Sequence, residues 1–197
     1  ETGRQRPDFP TYFNKQSTCV TGPSSPIHLP PESEQVDYEG ELGVVIGRRC
    51  RRVSAADARD VIAGYLVVND VSARDWQYRS PTWTLGKSFD THGPTGPWLV
   101  TADEIDDPQD LRIRTYVNDD ERQNASTGDM LFGCYEQIAI LSTVCTLEPG
   151  DLIATGTPAG VGMARTPPTF LSPGDVVRVE IDHLGGLRNE AIPEPIP

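Results

Sequence analysis

Eighteen glycines and eighteen prolines run through the 197 residues, from Gly3 to Pro197. Proline removes an amide donor and fixes φ, while glycine weakens regular runs, so long uninterrupted helices are excluded. The chain must be built from many short elements joined by turns, a pattern that suits strands better than a helical bundle. Hydrophobic residues make up 37%, enough at this length to bury a sizeable core. The expectation is a single β-rich α+β domain over residues 1–197.

Residues 1–35 read as an irregular, extended segment, punctuated by Pro7, Pro10, Pro23, Pro26, Pro30 and Pro31. Val36–Ile46 reads as a strand. Ser54-Ala-Ala-Asp57 looks like a capping box, and Ala58, Val61, Ile62 and Tyr65 would give the following helix one apolar stripe. Gly64–Asn69 then suggests a buried strand that delivers Asp70 to its end, with Ser72-Ala-Arg-Asp75 capping a short second helix. Leu111–Val117 alternates and meets the turn Asn118-Asp119, which predicts a hairpin. Tyr135–Val144 has helical spacing. Pro-Gly-Asp turns at 149–151 and 173–175 launch strands at Leu152–Thr155 and Val176–Ile181, and residues 192–197 form a Pro-rich tail.

Charge narrows the partners. Seventeen Lys and Arg against 29 Asp and Glu give a net charge of −12. Nucleic acid and anionic membrane surfaces are poor partners for such a chain. Its longest apolar runs, such as Leu66–Val68 and Ile138–Leu141, fall far short of a membrane span. Cys19, Cys50, Cys134 and Cys145 form no C-x-x-C pair, and read as small buried hydrophobes in a reducing, cytoplasmic setting. The sequence opens on Glu1 rather than Met, so a longer or processed protein is expected.

The first chemical signal is Asp37-Tyr-Glu39-Gly-Glu41. Strand alternation puts Glu39 and Glu41 on one face with Gly40 leaving room opposite, and two adjacent carboxylates repel. Either one is protonated, both are solvated, or a cation lies between them. Asp70, at the end of an apolar strand, adds a third carboxylate, although it could also cap the helix near Ser72. Three oxygen donors would suit Mg²⁺, Mn²⁺ or Ca²⁺ rather than zinc. Arg74 and Gln77, three apart, share a helix face and would reach a substrate carboxylate or carbonyl; Arg74 alone would also suit an ion pair with Asp75 or Asp70. Lys87 lies in Gly86-Lys-Ser-Phe-Asp-Thr91 without the upstream glycine of a phosphate loop, which excludes a nucleotide site of that kind. Gly156-Thr-Pro-Ala-Gly160-Val-Gly162 is either an anion-holding loop or an ordinary turn. His28 and His183 read as structural, and His92 as a candidate pocket residue.

Taken in order, Asp37–Gly47, Val68–Asp75, Gly86–Thr91 and Gly156–Pro158 resemble the fumarylacetoacetate hydrolase superfamily over essentially the whole chain. The resemblance implies a fold of packed mixed sheets with short helices like that family's C-terminal domain, and a homodimer. It implies Glu39, Glu41 and Asp70 as ligands of Mg²⁺ (or Mn²⁺/Ca²⁺). It matches Arg74, Gln77, Lys87, Gly156 and Thr157 to positions that contact a small oxo-acid substrate, with Lys87 also catalytic. Many members carry a His-x-x-Glu pair; Glu1-Thr-Gly3 resembles its Glu half, with the His and an N-terminal region upstream of Glu1. The implied activity is metal-dependent hydrolysis of a C–C bond in a 2,4-dioxo acid such as an acylpyruvate or fumarylpyruvate. The alternatives are isomerisation or decarboxylation of a 2-hydroxymuconate-type or oxaloacetate-like acid, or binding of a dicarboxylate without catalysis.

Overall fold

The computed structural model describes residues 7–195. Its strands are β1 (Val20–Thr21), β2 (Ile27–Leu29), β3 (Val36–Asp37), β4 (Gly40–Ile46), β5 (Ile62–Asn69), β6 (Ser72–Ala73), β7 (Gly93–Thr101), β8 (Arg112–Val117), β9 (Asp120–Ser126), β10 (Leu152–Ala154), β11 (Val176–Ile181) and β12 (Gly185–Pro193). Three short helices join them: α1 (Arg74–Gln77), α2 (Thr84–Lys87) and α3 (Cys134–Val144). One five-stranded sheet runs β1-β7-β5-β4-β10, a second runs β2-β12-β11-β8-β9, and β3 pairs with β6. The β1–β7 and β2–β12 pairs are parallel and the others antiparallel, so both large sheets are mixed.

The core lies between the large sheets. Leu42, Val44, Tyr65 and Val67 come from one side, and Ile113, Val177, Val179 and Leu187 from the other. Strand β11 alternates half-buried and buried residues, as a strand with one face on a core should. Strand β4 is buried along nearly its whole length, and β5 along most of its own. These two central strands carry the acidic motif. Among the described residues, no helix is long and apolar enough to cross a membrane.

The α+β, β-rich expectation holds, with five local corrections. No long helix follows Ser54: a 3-10 turn at Ala58–Val61 leads straight into β5. Ile62 and Tyr65 satisfy a helical spacing, but the run from Ile62 to Asn69 is paired by β4 on one side and β7 on the other. That pairing outweighs local periodicity. The strand expected over Val36–Ile46 divides into β3 and β4. The segment 1–35 gains β1, β2 and a 3-10 turn at Ser17–Cys19. The tail is better held than its prolines suggest, because Ile192 and Pro193 pair with His28 and Leu29. All four cysteines are free, and Cys145 is exposed rather than buried.

Candidate metal centre and substrate cavity

The carboxylate trio is a product of strand register. Glu39 and Glu41 flank Gly40 at the head of β4, and Gly40 faces Asn69 across the β4–β5 ladder. The Asp70 N–H donates to the Glu39 carbonyl at 2.8 Å, and Asn69 Oδ1 accepts the Glu39 N–H at 3.0 Å. Asp70 is thereby set beside the glutamates: one carboxylate oxygen from each of Glu39, Glu41 and Asp70 lies within 4.8 Å of the others, with all three residues buried. A Cβ on residue 40 would stand 2.3 Å from Thr115 Oγ1 of the second sheet. Only glycine lets the sheets close at this point.

Two short helices bring the cations. Gly86 lies so close to α1 that a Cβ there would meet the Gln77 backbone nitrogen at 2.2 Å. Trp83, just before α2, takes φ 62°, a left-handed conformation uncommon for an aromatic residue. Lys87, at the end of α2, donates to Glu39 Oε2 and Asp70 Oδ2, each at 2.7 Å. The Phe13 ring sits 4.8 Å from Lys87 Nζ. Arg74 opens α1; its Nε donates to Asp37 Oδ2 at 2.9 Å, and its Nη1 to Gln77 Oε1 at 3.0 Å. Nη1 also lies 2.5 Å from Glu39 Oε1. Asp37 is saturated from several directions, accepting the N–H groups of Tyr38, Gly162 and Met163 as well.

These contacts divide the acids. Asp70 is held below the ordinary carboxylate range: burial alone would raise it, but Lys15 and Lys87 outweigh that. Burial would likewise depress the Lys87 ammonium, yet Glu39, Asp70 and Glu41 together push it above an ordinary lysine. Lys87 is therefore a fixed positive charge at neutral pH, not a proton acceptor. Glu41 is the exception. Among the described residues it has no ion-pair partner; burial, then the charges of Asp70 and Glu39, raise it to about 8, against the pull of Lys87 and the Gly156 N–H. A buried all-oxygen donor set with one carboxylate lacking a counter-charge fits a hard divalent cation.

The glycine-rich loop serves the acids instead of presenting free donors. Gly156 N–H donates to Glu41 Oε2 at 2.8 Å, and Thr157 Oγ1 donates to the Gly40 carbonyl at 3.0 Å. Glu39, Glu41, Gln77, Lys87, Gly156 and Thr157 share a cavity of about 580 Å³. Ile113, Met130 and Phe132 add apolar lining to it, and Tyr12, Phe13 and Trp83 aromatic lining.

Most of the expected residues thus converge. Arg74 does not line the cavity; its partners are Asp37, Glu39 and Gln77 rather than Asp75 or Asp70. Ser72 does not cap α1, since its hydroxyl donates to the Asp70 carbonyl at 2.9 Å. His92 is fully buried, with Nε2 2.9 Å from the His28 carbonyl, and it does not line the cavity. Glu1 lies outside the described residues. Lys15, Asp37 and Gln123 enter the site without having been assigned a role from sequence. Asp37 sat inside the quoted motif, two residues before Glu39, whereas Lys15 had no pattern to reveal it.

The sequence model of the fumarylacetoacetate (FAA) hydrolase C-terminal family matches residues 1–192. The chain belongs to this family. An oxaloacetate tautomerase, fahd2, described as mitochondrial in Xenopus laevis, is 50% identical over 188 residues, covering 94% of this chain and 59% of the relative. A putative hydrolase of Burkholderia cenocepacia is 50% identical over 187 residues, covering 94% and 66%. The chain therefore spans less than two thirds of the length of these curated relatives. Among solved structures, a 5-carboxymethyl-2-hydroxymuconate delta-isomerase from Mycobacterium smegmatis superposes with a TM-score of 0.89 at 40% identity, covering 100% of this chain and 74% of that one. A maleylpyruvate hydrolase from Sphingobium sp. SYK-6, in complex with manganese(II) and pyruvate, has a TM-score of 0.81 at 37% identity, covering 92% and 64%.

Proposed function

We propose that the chain is the catalytic region of a divalent-metal-dependent isomerase that moves a proton within a small 2-oxo acid, oxaloacetate-like or 2-hydroxymuconate-like. The observation that carries this reading is the buried Glu39/Glu41/Asp70 trio braced by Lys87, with Glu39, Glu41 and Lys87 lining a cavity. The names of the tautomerase and isomerase relatives point the same way. Mg²⁺ is the proposed ion, with Mn²⁺ or Ca²⁺ as substitutes. When bound, such an ion supplies Lewis acidity where an oxo group takes up negative charge.

The remaining roles belong to this chain's own residues. Lys87 keeps its proton and adds fixed positive potential beside the reacting oxygens. Gln77 offers its amide to the acid, with its own Oε1 held by Arg74. Arg74 therefore orients Gln77 and Glu39 instead of gripping substrate. Gly156 fixes Glu41 through its N–H, and Thr157 holds the Gly40 peptide. A keto–enol shift needs stabilised negative charge and an exchangeable proton, which these groups and water meet without an activated hydroxide. The homodimer implied by the resemblance belongs to the same proposal.

A second reading is C–C hydrolysis of an acylpyruvate, favoured by the apolar lining that Ile113, Met130 and Phe132 give the cavity, chemistry that suits an acyl group. Hydrolysis requires a base to activate water, and Glu1 is the residue proposed for it. The deciding experiment uses full-length protein with Mg²⁺ or with chelator. It follows the ultraviolet decay of enol-oxaloacetate and hydroxymuconates, and separately the cleavage of acylpyruvates. Metal-dependent isomerisation supports the first reading, cleavage alone replaces it with the second, and tight binding with no turnover defeats both.

A further inference from the structure

Gly40, the residue between the two glutamates, is held from its far side by a residue of the second sheet. Gln123, on β9 and 1% exposed, accepts the Gly40 N–H through Oε1 at 3.0 Å. Its Nε2 donates to Thr157 Oγ1 and to the Pro158 carbonyl, each at 2.8 Å. Thr157 Oγ1 closes the ring by donating to the Gly40 carbonyl at 3.0 Å. Both amide protons of Gln123 and one lone pair are thereby engaged, and a reversed amide would set oxygen against two oxygens. The ring joins the peptide bearing Glu39 and Glu41 to the loop whose Gly156 N–H holds Glu41. Glu41 is thus located from both sides, through its own backbone and through its carboxylate.

We propose that Gln123 is a positioning residue for the metal-binding carboxylates, setting the spacing of Glu39 and Glu41 and the placement of Thr157. The inference rests on the metal reading of the trio, but not on which reaction the site performs. Groups that orient metal ligands from behind alter affinity when removed, whereas a buried glutamine with only a packing role would alter stability alone. Gln123→Met keeps the volume and removes all three hydrogen bonds that Gln123 makes. Gln123→Glu keeps an acceptor for Gly40 but turns an oxygen toward Thr157 Oγ1 and Pro158.

The test measures Mn²⁺ binding without substrate, by the paramagnetic signal of free Mn²⁺, together with thermal unfolding of the metal-free, full-length protein. Ser142→Ala is the control, since it removes a buried hydroxyl that accepts from Val53 N–H at 3.1 Å, away from the cavity. Both Gln123 variants should lose roughly 10–100-fold in Mn²⁺ affinity, with kcat/KM falling alongside. Ser142→Ala should lower the melting temperature and leave affinity unchanged. A folded Gln123→Met with affinity within about twofold of wild type overturns the proposal; should it not fold, the same criterion applies to Gln123→Glu. Wild-type protein that binds Mn²⁺ but turns over no oxo acid refutes the proposed reaction, while the affinity comparison still decides the role of Gln123. Wild-type protein that binds no Mn²⁺ overturns both.

Discussion

Lys15 Nζ stands 2.6 Å from Asp70 Oδ1, across a separation of 55 residues in sequence. The same ammonium donates to the carbonyls of Val71 and Lys87. One flexible side chain thus ties the irregular segment before β1 to the end of β5 and the end of α2. Asp70 shares its charge between this lysine and Lys87.

Replacing Lys15 with Met leaves Asp70 with Lys87 alone. Metal-free protein should lose about 1–3 kcal/mol, less than the full cost of stranding a buried charge because one partner remains. Mg²⁺ should then raise the melting temperature more than it does in wild type, since the ion restores what was removed. Thermal unfolding with and without Mg²⁺ checks both, and an unchanged melting temperature would show the contact to be idle.

Glu41→Gln separates binding from folding. It removes the carboxylate that lacks an ion-pair partner among the described residues, so calorimetric titration should show Mg²⁺ affinity falling by more than about 100-fold, beyond the loss for a group that only orients a ligand. Metal-free stability should hold or rise, because repulsion from Asp70 and Glu39 is relieved. Retained affinity would remove Glu41 from the ligand set.

Arg74→Lys is not a conservative change here. The guanidinium reaches Asp37, Glu39 and Gln77 together, and an ammonium cannot span all three. Asp37, 0% exposed, would lose the Nε hydrogen bond and the ion pair at Oδ2, at a cost of about 2–4 kcal/mol. Urea unfolding measures this directly, and a loss below about 1 kcal/mol would show that the fork is dispensable.

His92 predicts a limb of acid sensitivity. Burial, only partly offset by its bond to the His28 carbonyl, lowers it from 6.5 to about 4. Above pH 6.5 neither folded nor unfolded protein protonates it, so its contribution is flat. Between pH 6.5 and about 4 only the unfolded chain takes the proton, and stability falls by up to about 1.4 kcal/mol per pH unit. In His92→Gln this contribution should vanish, leaving a shallower decline; matching slopes in wild type and variant would contradict the assignment.

The acidic trio was legible because strand alternation and strand ends are local rules: Glu39, Gly40 and Glu41 need only a strand, and Asp70 only an apolar run before it. Lys87 was legible through its motif, and the hairpin of β8 and β9 through alternation and Asn118-Asp119. The helix expected after Ser54 failed because Ile62 and Tyr65 fit two periods, and only pairing with β4 and β7 chooses between them. Lys15 and Gln123 could not be read, because each acts through a long-range contact that no spacing encodes. The partners of Arg74 were not legible for a related reason: Asp37, in an adjacent strand, takes the guanidinium.

The central cluster also sets an order of events. Asp37, Glu39, Glu41 and Asp70 face Lys15, Arg74 and Lys87, four carboxylates against three cations. Near neutral pH Glu41, raised to about 8, keeps its proton, so the remaining charges balance and the cluster offers an organic anion no net attraction. A divalent cation that displaces this proton would leave an excess of one positive charge. Under the proposed function, an anionic substrate would then be drawn in after the ion and would help retain it, so the fold's charge parity predicts ordered binding.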